Sequence, residues 1–507
     1  MQSILAKLLP TFTKKAERLP NADCLCYPLR SMAQRKFIGI SFVLFLFQFG
    51  SFALAQTAEQ RTATYLESIR KSPPLLEAFL REMPKGGDLH NHLSGAVYGE
   101  SYLQFAIQDG LCIDRQALAF TAAPCDAARD SVPAETALSN PFLYRVLIDA
   151  LSMRDFHPYS QPGISESGED HFFATFGRFG LVSRAHTGEM LAEVASRAGR
   201  QNESYLELTL GLDRTSAQLA SKVGWVEDFD QMRQKLTEAR IAQAVSEVRK
   251  KLDDAEAEKD RLLSCDDSEH ADPGCKVTIR YIYEVYRGTP KEQVFAEIMS
   301  GFALAEADHR YVAVNPVMPE DGYTSMHDYN LHMRMFAYFH KLYPDVHLTE
   351  HAGELAAGLV PPSGLRSHIR DAVEIGDAKR IGHGVDVMHE DQPIELLQEM
   401  ARKKIAVEIC LTSNDVILGV RGDRHPFPVY RKYGVPVVIA TDDEGVSRSD
   451  MTHEYLRAVE SYRLNYVDLK AIVRDSLHYS FVEPAIKSKL LADLQTRFSQ
   501  FENQITK

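Results

Sequence analysis

Short apolar runs punctuate the chain, separated by longer stretches in which apolar positions recur every three or four residues. Before them a short, mostly polar strand follows Pro84 and ends at His90 and His92. The apolar runs lie at 204–210, 276–283, 311–317, 346–351, 380–384, 406–411 and 435–441. Helical spacing fills most intervals, as at 291–305, 327–343 and 392–403. Strands of this length alternating with helices predict an α/β fold, a (β/α)8 TIM barrel.

The pattern also predicts what decorates the barrel. Residues 59–83 read as an amphipathic helix interrupted by Pro73 and Pro74. Between about 96 and 203 strand alternation is absent, so a long insertion follows the first strand, either as packing decoration or as a wall over the site. Residues 227–263, rich in Ala, Glu, Lys and Arg, predict one long exposed helix whose charges form a solvated face. The segment 450–501 predicts extra C-terminal helices against the barrel.

One stretch, 346–354, admits two readings. His347, Glu350 and His351 match the H-x-x-E-H spacing of inverted zinc peptidases, which requires a helix. Pro344 and Gly353 leave room for about two turns, short for a helix. Val346, Leu348 and Glu350 alternate with His347, Thr349 and His351, the period of a strand. The second reading is a buried strand that presents His351, and then Glu354, at its C-terminal end.

Composition narrows the partners. With 507 residues, 45% hydrophobic, 25% charged and a net charge of −13, the chain is of ordinary globular make-up and acidic. That balance argues against gripping nucleic acid and favours a small neutral or cationic ligand. Arg30, Arg35 and Lys36 precede an apolar run from Phe37 to Phe52, and Ala53-Leu54-Ala55 forms a cleavage site. Residues 1–55 therefore read as a signal peptide, with Met32 a second candidate start; a single membrane anchor is the alternative. On the first reading the catalytic domain is 56–507, periplasmic or secreted, with no stable membrane anchor. Of the seven cysteines, Cys24 and Cys26 leave with the leader. In an oxidising compartment the expected disulfides are Cys112–Cys125 and Cys265–Cys275, with Cys410 a buried free thiol.

In a (β/α)8 barrel the chemistry sits at the C-terminal strand ends. Here those ends carry His90 and His92, then His351 and Glu354, His383, Ser413 and Asn414, and finally Asp442 and Asp443. On a strand, His90 and His92 face the same way, as two ligands of one metal must. Three histidines and an aspartate supply a zinc-type donor set.

The motifs P-K-x-x-D-L-H-x-H-L-x-G, H-A-G-E, R-I-G-H-G, E-I-C-x-T-S-N and T-D-D-E, in that order, resemble those of the adenosine deaminase family. Residues 171–182, 326–329, 424–426 and 476–480 resemble its secreted branch of adenosine-deaminase-related growth factors. The resemblance covers about residues 80–485. It implies one Zn²⁺ per chain held by His90, His92, His351 and Asp442. Glu354 would protonate the purine ring nitrogen, and His383 would orient the attacking water and assist proton transfer. Asp443 would hydrogen-bond the base from the other side, with Gly353 beside it in the substrate site. Binuclear relatives of this barrel carry a lysine at the end of the fourth strand, and residues 311–320 contain none.

Two positions depart from the family pattern. Met318 replaces a glycine that approaches the purine, and Ser94 stands where conventional members carry an acid for the ribose. The expected reaction is hydrolysis of adenosine or 2′-deoxyadenosine to the inosine nucleoside and ammonia. The alternatives are deamination of another aminopurine or a 5′-modified nucleoside, and an inactive extracellular purine-binding protein. The partner is a small purine nucleoside; the sequence leaves a homodimer open.

Overall fold

The computed structural model describes residues 56–126, 128, 130–156 and 166–505. The leader reading, with Met32, Cys24 and Cys26, falls outside the described residues. Among the described residues there are eleven strands in chain order. They are β1 (Gly86–His92), β2 (Cys112–Asp114), β3 (Ala119–Thr121), β4 (Ser131–Pro133), β5 (Glu203–Leu210) and β6 (Thr278–Tyr286), then β7 (Tyr311–Val317), β8 (His347–Ala352), β9 (Arg380–His383), β10 (Ala406–Ile409) and β11 (Val437–Ile439).

β1 and β5 to β11 form an eight-stranded parallel sheet in sequence order, and helices surround it. This is the (β/α)8 barrel that the alternation predicts. Every residue of β5, β7, β9, β10 and β11 is buried, as strands covered on both faces require. The ring closes at Asn91 and Asp442. There the Asp442 N–H donates to the His90 carbonyl at 2.8 Å and the His92 N–H donates to the Asp442 carbonyl at 2.9 Å. The backbone seam of the barrel thus passes through three residues with ligand-type side chains.

The stretch 346–354 is resolved in favour of the strand: His347–Ala352 is β8. His347 stacks on Phe481 and Glu350 is buried away from solvent, so neither joins a peptidase-type helix.

The insertion holds an element that period-based reading misses, a three-stranded antiparallel sheet in the order β3-β2-β4. Its strands are three residues long, too short to display a period of two. A disulfide joins Cys112, at the start of β2, to Cys125; a second joins Cys265 to Cys275, and Cys410 is free and buried. A capping box at Ser167 starts the helix Gly168–Ser183, and Thr187–Arg200 follows it.

The expected single helix at 227–263 is two helices, Phe229–Glu238 and Ala242–Leu262. Arg240 breaks them with a φ of 65°, and the turn buries Ile241. Ala244, Val248, Leu252 and Ala255 bury one face of the second helix. At the N-terminus, Pro73 and Pro74 open a helix, Pro73–Glu82, at the position where proline is tolerated. Among the described residues no helix is long and apolar enough to cross a membrane.

Behind β8, His332 is buried on the helix Tyr329–Leu342 with both ring nitrogens unpartnered. Burial lowers its pKa to about 4. The neutral ring is folded in, so the stability it permits is present above the unfolded histidine value and is lost as pH falls toward 4. His332→Leu is therefore expected to gain about 2 kcal/mol over the parent at pH 5 relative to pH 8. Denaturant unfolding at both pH values checks this; an equal difference at the two would contradict it.

Candidate active site

Four side chains converge where the barrel closes. The Nε2 atoms of His90 and His351 are 3.1 Å apart, those of His92 and His351 3.2 Å, and those of His92 and His90 3.3 Å. Asp442 Oδ1 lies 3.3 Å from His90 Nε2 and 3.4 Å from His92 Nε2. Atoms about 2.0–2.1 Å from a zinc-sized ion and separated like the three nitrogens subtend roughly 95–110° at it, close to tetrahedral. The residues present fit a metal.

The outer nitrogens of His90 and His351 are tethered in the sense that a ligand needs. His90 Nδ1 is 2.7 Å from Glu408 Oε2, and His351 Nδ1 is 3.0 Å from Asn315 Oδ1. Each oxygen can only accept, so Nδ1 carries the proton and Nε2 presents its lone pair inward. Glu408 is itself held by Thr349 Oγ1 at 2.8 Å and by the Arg380 guanidinium. Burial alone would raise its pKa, but Arg380 and His90 outweigh that and hold it at about 2.

His383 lies within the same cluster of ligand-type atoms, and its hydrogen bonds give it another role. The Phe427 N–H donates to His425 Nδ1 at 3.1 Å, so His425 carries its proton on Nε2. That Nε2–H donates to Asn414 Oδ1 at 3.0 Å, and Asn414 Nδ2 donates to His383 Nδ1 at 3.0 Å. His383 Nδ1 is thus an acceptor, and the proton sits on Nε2, 3.6 Å from Glu354 Oε1. A ring nitrogen that bears a proton has no lone pair for a metal. Burial lowers the His383 pKa to about 3, which keeps the ring neutral.

Glu354 is the acid of the cluster. Burial pushes its carboxyl well above the usual range, and the carboxylates of Asp442 and Glu320 add to the shift. Asp443 is also buried, and its Oδ1 has no hydrogen-bond partner. Gly95 makes room for it, since a Cβ there would lie 1.6 Å from that oxygen.

A cavity of about 990 Å³ opens beside these groups, lined by His92, His351, Glu354, Asp442 and Asp443 at its floor. Phe173 and Phe176 from the insertion line it, as do Ser94 and Met318. Lys251 and Glu258 line it too, so the charged face expected to be merely solvated also borders the cavity. The insertion is therefore a wall over the site. Gly353 does not line the cavity. Its N–H donates to Glu320 and its carbonyl accepts from Val385 and Asp386, so it serves the turn with a φ of 76°.

Three site positions adopt left-handed backbone without being glycine: Met318 (φ 85°), His383 (66°) and Asp442 (61°). Such geometry costs on the order of 1–2 kcal/mol per residue and clusters at functional sites. At Met318 it marks the position where the family pattern has glycine.

The family model for adenosine deaminase matches residues 189–497, which include β5 to β11 and the strand ends from His351 to Asp443. The chain belongs to the adenosine deaminase family. An adenosine deaminase of Clostridium perfringens is 31% identical over 144 residues, 28% of this chain and 40% of that protein. The chain thus spans less than half the length of that curated relative. Among solved structures, Arabidopsis ADAL complexed with IMP superposes with a TM-score of 0.54 at 19% identity, covering 83% of this chain and 99% of that one. An amidohydrolase from Burkholderia ambifaria with bound Zn gives 0.52 at 14% identity, covering 85% and 94%. Both likenesses show the fold. This adenosine deaminase family member carries a buried His/Asp cluster suited to a metal.

Reading strand ends alone passes over Glu408, Asn315, Glu320, Arg287 and His425, which orient the groups just described. Arg287, Arg380 and Glu408 are almost wholly buried in or beside apolar strands. A charge inside a run such as Ala406–Ile409 is the signal that could have found them, since charged residues are seldom buried unpaired.

Proposed function

We propose that this protein is a zinc-dependent nucleoside deaminase that hydrolyses adenosine or 2′-deoxyadenosine to inosine or 2′-deoxyinosine and ammonia. The observation that carries the reading is the convergence of His90, His92, His351 and Asp442, each tethered histidine facing its lone pair inward, beside a carboxyl kept protonated by burial. A zinc ion held by those four residues would lower the pKa of a water molecule to roughly 7 and supply a nucleophile at neutral pH. One ion per chain suits a β7 strand without lysine.

The chain's own residues account for the remaining steps. Glu354 gives its proton to the ring nitrogen of the purine as water adds to the amino-bearing carbon, so charge does not build up on the ring. The C–N bond then breaks as the added hydroxyl passes its proton to the departing amino group, which leaves as ammonia, and the water's other proton restores Glu354. His383, with its proton on Nε2, donates a hydrogen bond that orients the attacking oxygen. The free Oδ1 of Asp443 meets the opposite edge of the base. The apolar wall with Phe173 and Phe176 excludes water from the base. A protein that only bound purines would have no use for both a protonated Glu354 and a donor-fixed His383.

A second reading, another aminopurine or a 5′-modified nucleoside, is favoured by Met318 and Ser94 and by a cavity larger than one base requires. The test is an ultraviolet assay of the zinc-loaded protein on adenosine, 2′-deoxyadenosine, AMP and adenine, with and without chelator. The proposal expects the two nucleosides to be turned over fastest and chelation to abolish the reaction. A preference for AMP or adenine would install the second reading, and absence of turnover on every purine would refute both.

We also propose a periplasmic or secreted location, supported by the leader-like sequence at 1–55 and by the two disulfides. An N-terminus at Gln56 in exported protein is the expected result, and one upstream of Phe37 would contradict it.

A further inference from the structure

Two loops grip the turn that carries Glu354. From the β7 side, the Glu320 carboxylate accepts the Gly353 N–H at 3.0 Å through Oε1 and the Glu354 N–H at 2.8 Å through Oε2. His368 Nδ1 lies 2.6 Å from the same Oε1. From the β9 side, the N–H groups of Val385 and Asp386 donate to the Gly353 carbonyl at 2.7 and 3.2 Å. The chain between His351 and Glu354 therefore has little freedom.

Arg287 ties this clamp to the metal side of the site. Its guanidinium donates to the His351 carbonyl at 2.8 Å and to the Met318 carbonyl at 3.1 and 3.2 Å, and it lies 3.9 Å from Glu320 Oε2. Glu320 and Arg287 are both 1% exposed, so water does not substitute for either. His368 is fixed in turn by a stacked Tyr329 ring at 3.7 Å.

The chemistry of the clamp needs a carboxylate. Both Glu320 oxygens accept from N–H donors, and an amide in their place would set an NH2 group against an N–H. Burial alone would raise the Glu320 pKa, but the His368 hydrogen bond and the Arg287 charge outweigh it and hold it at about 2.

We propose that Glu320, backed by Arg287 and His368, is a positioning residue that fixes the height and direction of the Glu354 carboxyl relative to His351. This rests on the deaminase reading for its effect on rate, but not for its effect on the turn. Loss of the clamp leaves Glu354 present and misplaced, and a displacement of about 1 Å can cost on the order of 10²-fold in rate.

The test compares Glu320→Gln with the parent in the zinc-loaded full chain. The inference expects kcat to fall about 10²-fold with KM changed less than about threefold. It also expects faster amide exchange at Gly353 and Glu354, with zinc content and exchange in the rest of the barrel unchanged. In a Glu354→Gln background the same substitution should cost nothing further, because its effect runs through Glu354. If Glu320→Gln does not fold, Glu320→Asp, which shortens the reach to the two amides, should show a smaller loss of the same kind. Unchanged kcat and exchange in a folded variant would overturn the inference, as would an equal loss in the Glu354→Gln background. A parent protein inactive on every purine would sink the deaminase reading, and amide exchange would still judge the clamp.

Discussion

Glu354→Gln is expected to bind zinc as the parent does and to lose at least about 10³-fold in kcat, within the range for removal of a general acid. Glutamine keeps the shape and the hydrogen-bonding reach of the side chain but has no proton to give at neutral pH. The parent carboxyl is set up to give one, since burial and the neighbouring carboxylates of Asp442 and Glu320 raise its pKa. The sign of the pH dependence follows. Activity needs the protonated form, so turnover in the parent falls as pH rises through the Glu354 pKa. That limb should be absent from the residual activity of the variant. Steady-state rates across pH, with metal analysis of the same samples, check both points. A variant with near-parent turnover would remove Glu354 from the proton-donor role.

Asn414→Asp tests the donor role of His383. In the parent, His425 and Asn414 impose the tautomer by hydrogen bonds of 3.0 Å each. A carboxylate at 414 accepts where the amide donated, so it draws a proton onto His383 Nδ1 and raises the pKa of the ring. Two effects are expected. kcat should drop by on the order of 10²-fold, the size usual for a lost oriented hydrogen bond in a reacting site. An acid limb should also move upward in pH, because a ring that stays neutral down to about 3 in the parent would now charge nearer neutrality. Nitrogen NMR of labelled protein gives a readout independent of turnover: His383 Nδ1 should be unprotonated in the parent and protonated in the variant. Unchanged kcat with an unchanged acid limb would show that the relay is structural only.

The barrel was legible because most of its strands are apolar and most of the segments between them repeat at helical spacing; β1 (Gly86–His92) is the exception, marked by its histidines rather than by apolar residues. The ends of those strands also exposed His90, His92, His351, Glu354, His383 and Asp442, since a barrel gathers strand ends at one rim. What could not be read is side-chain direction over long separations. Glu408 lies 318 residues from His90 in the chain and 2.7 Å from it in space. Glu320 sits in a loop with no period at all, and its partners, the Gly353 and Glu354 amides, His368 and Arg287, all lie more than thirty residues away in the chain. Gly353, expected in the substrate site, has its N–H and carbonyl held by Glu320, Val385 and Asp386 in the turn after β8. Arg240 separates two helices that composition alone runs together, because nothing in an arginine signals a left-handed φ.

In the proposed reading one zinc ion, seated among His90, His92, His351 and Asp442, makes this chain a purine nucleoside deaminase. The most direct test is a titration of metal-free protein with zinc while adenosine deamination is followed. The rate should rise linearly and break at one equivalent per chain. A break at two equivalents, or no deamination at any ratio, would contradict it.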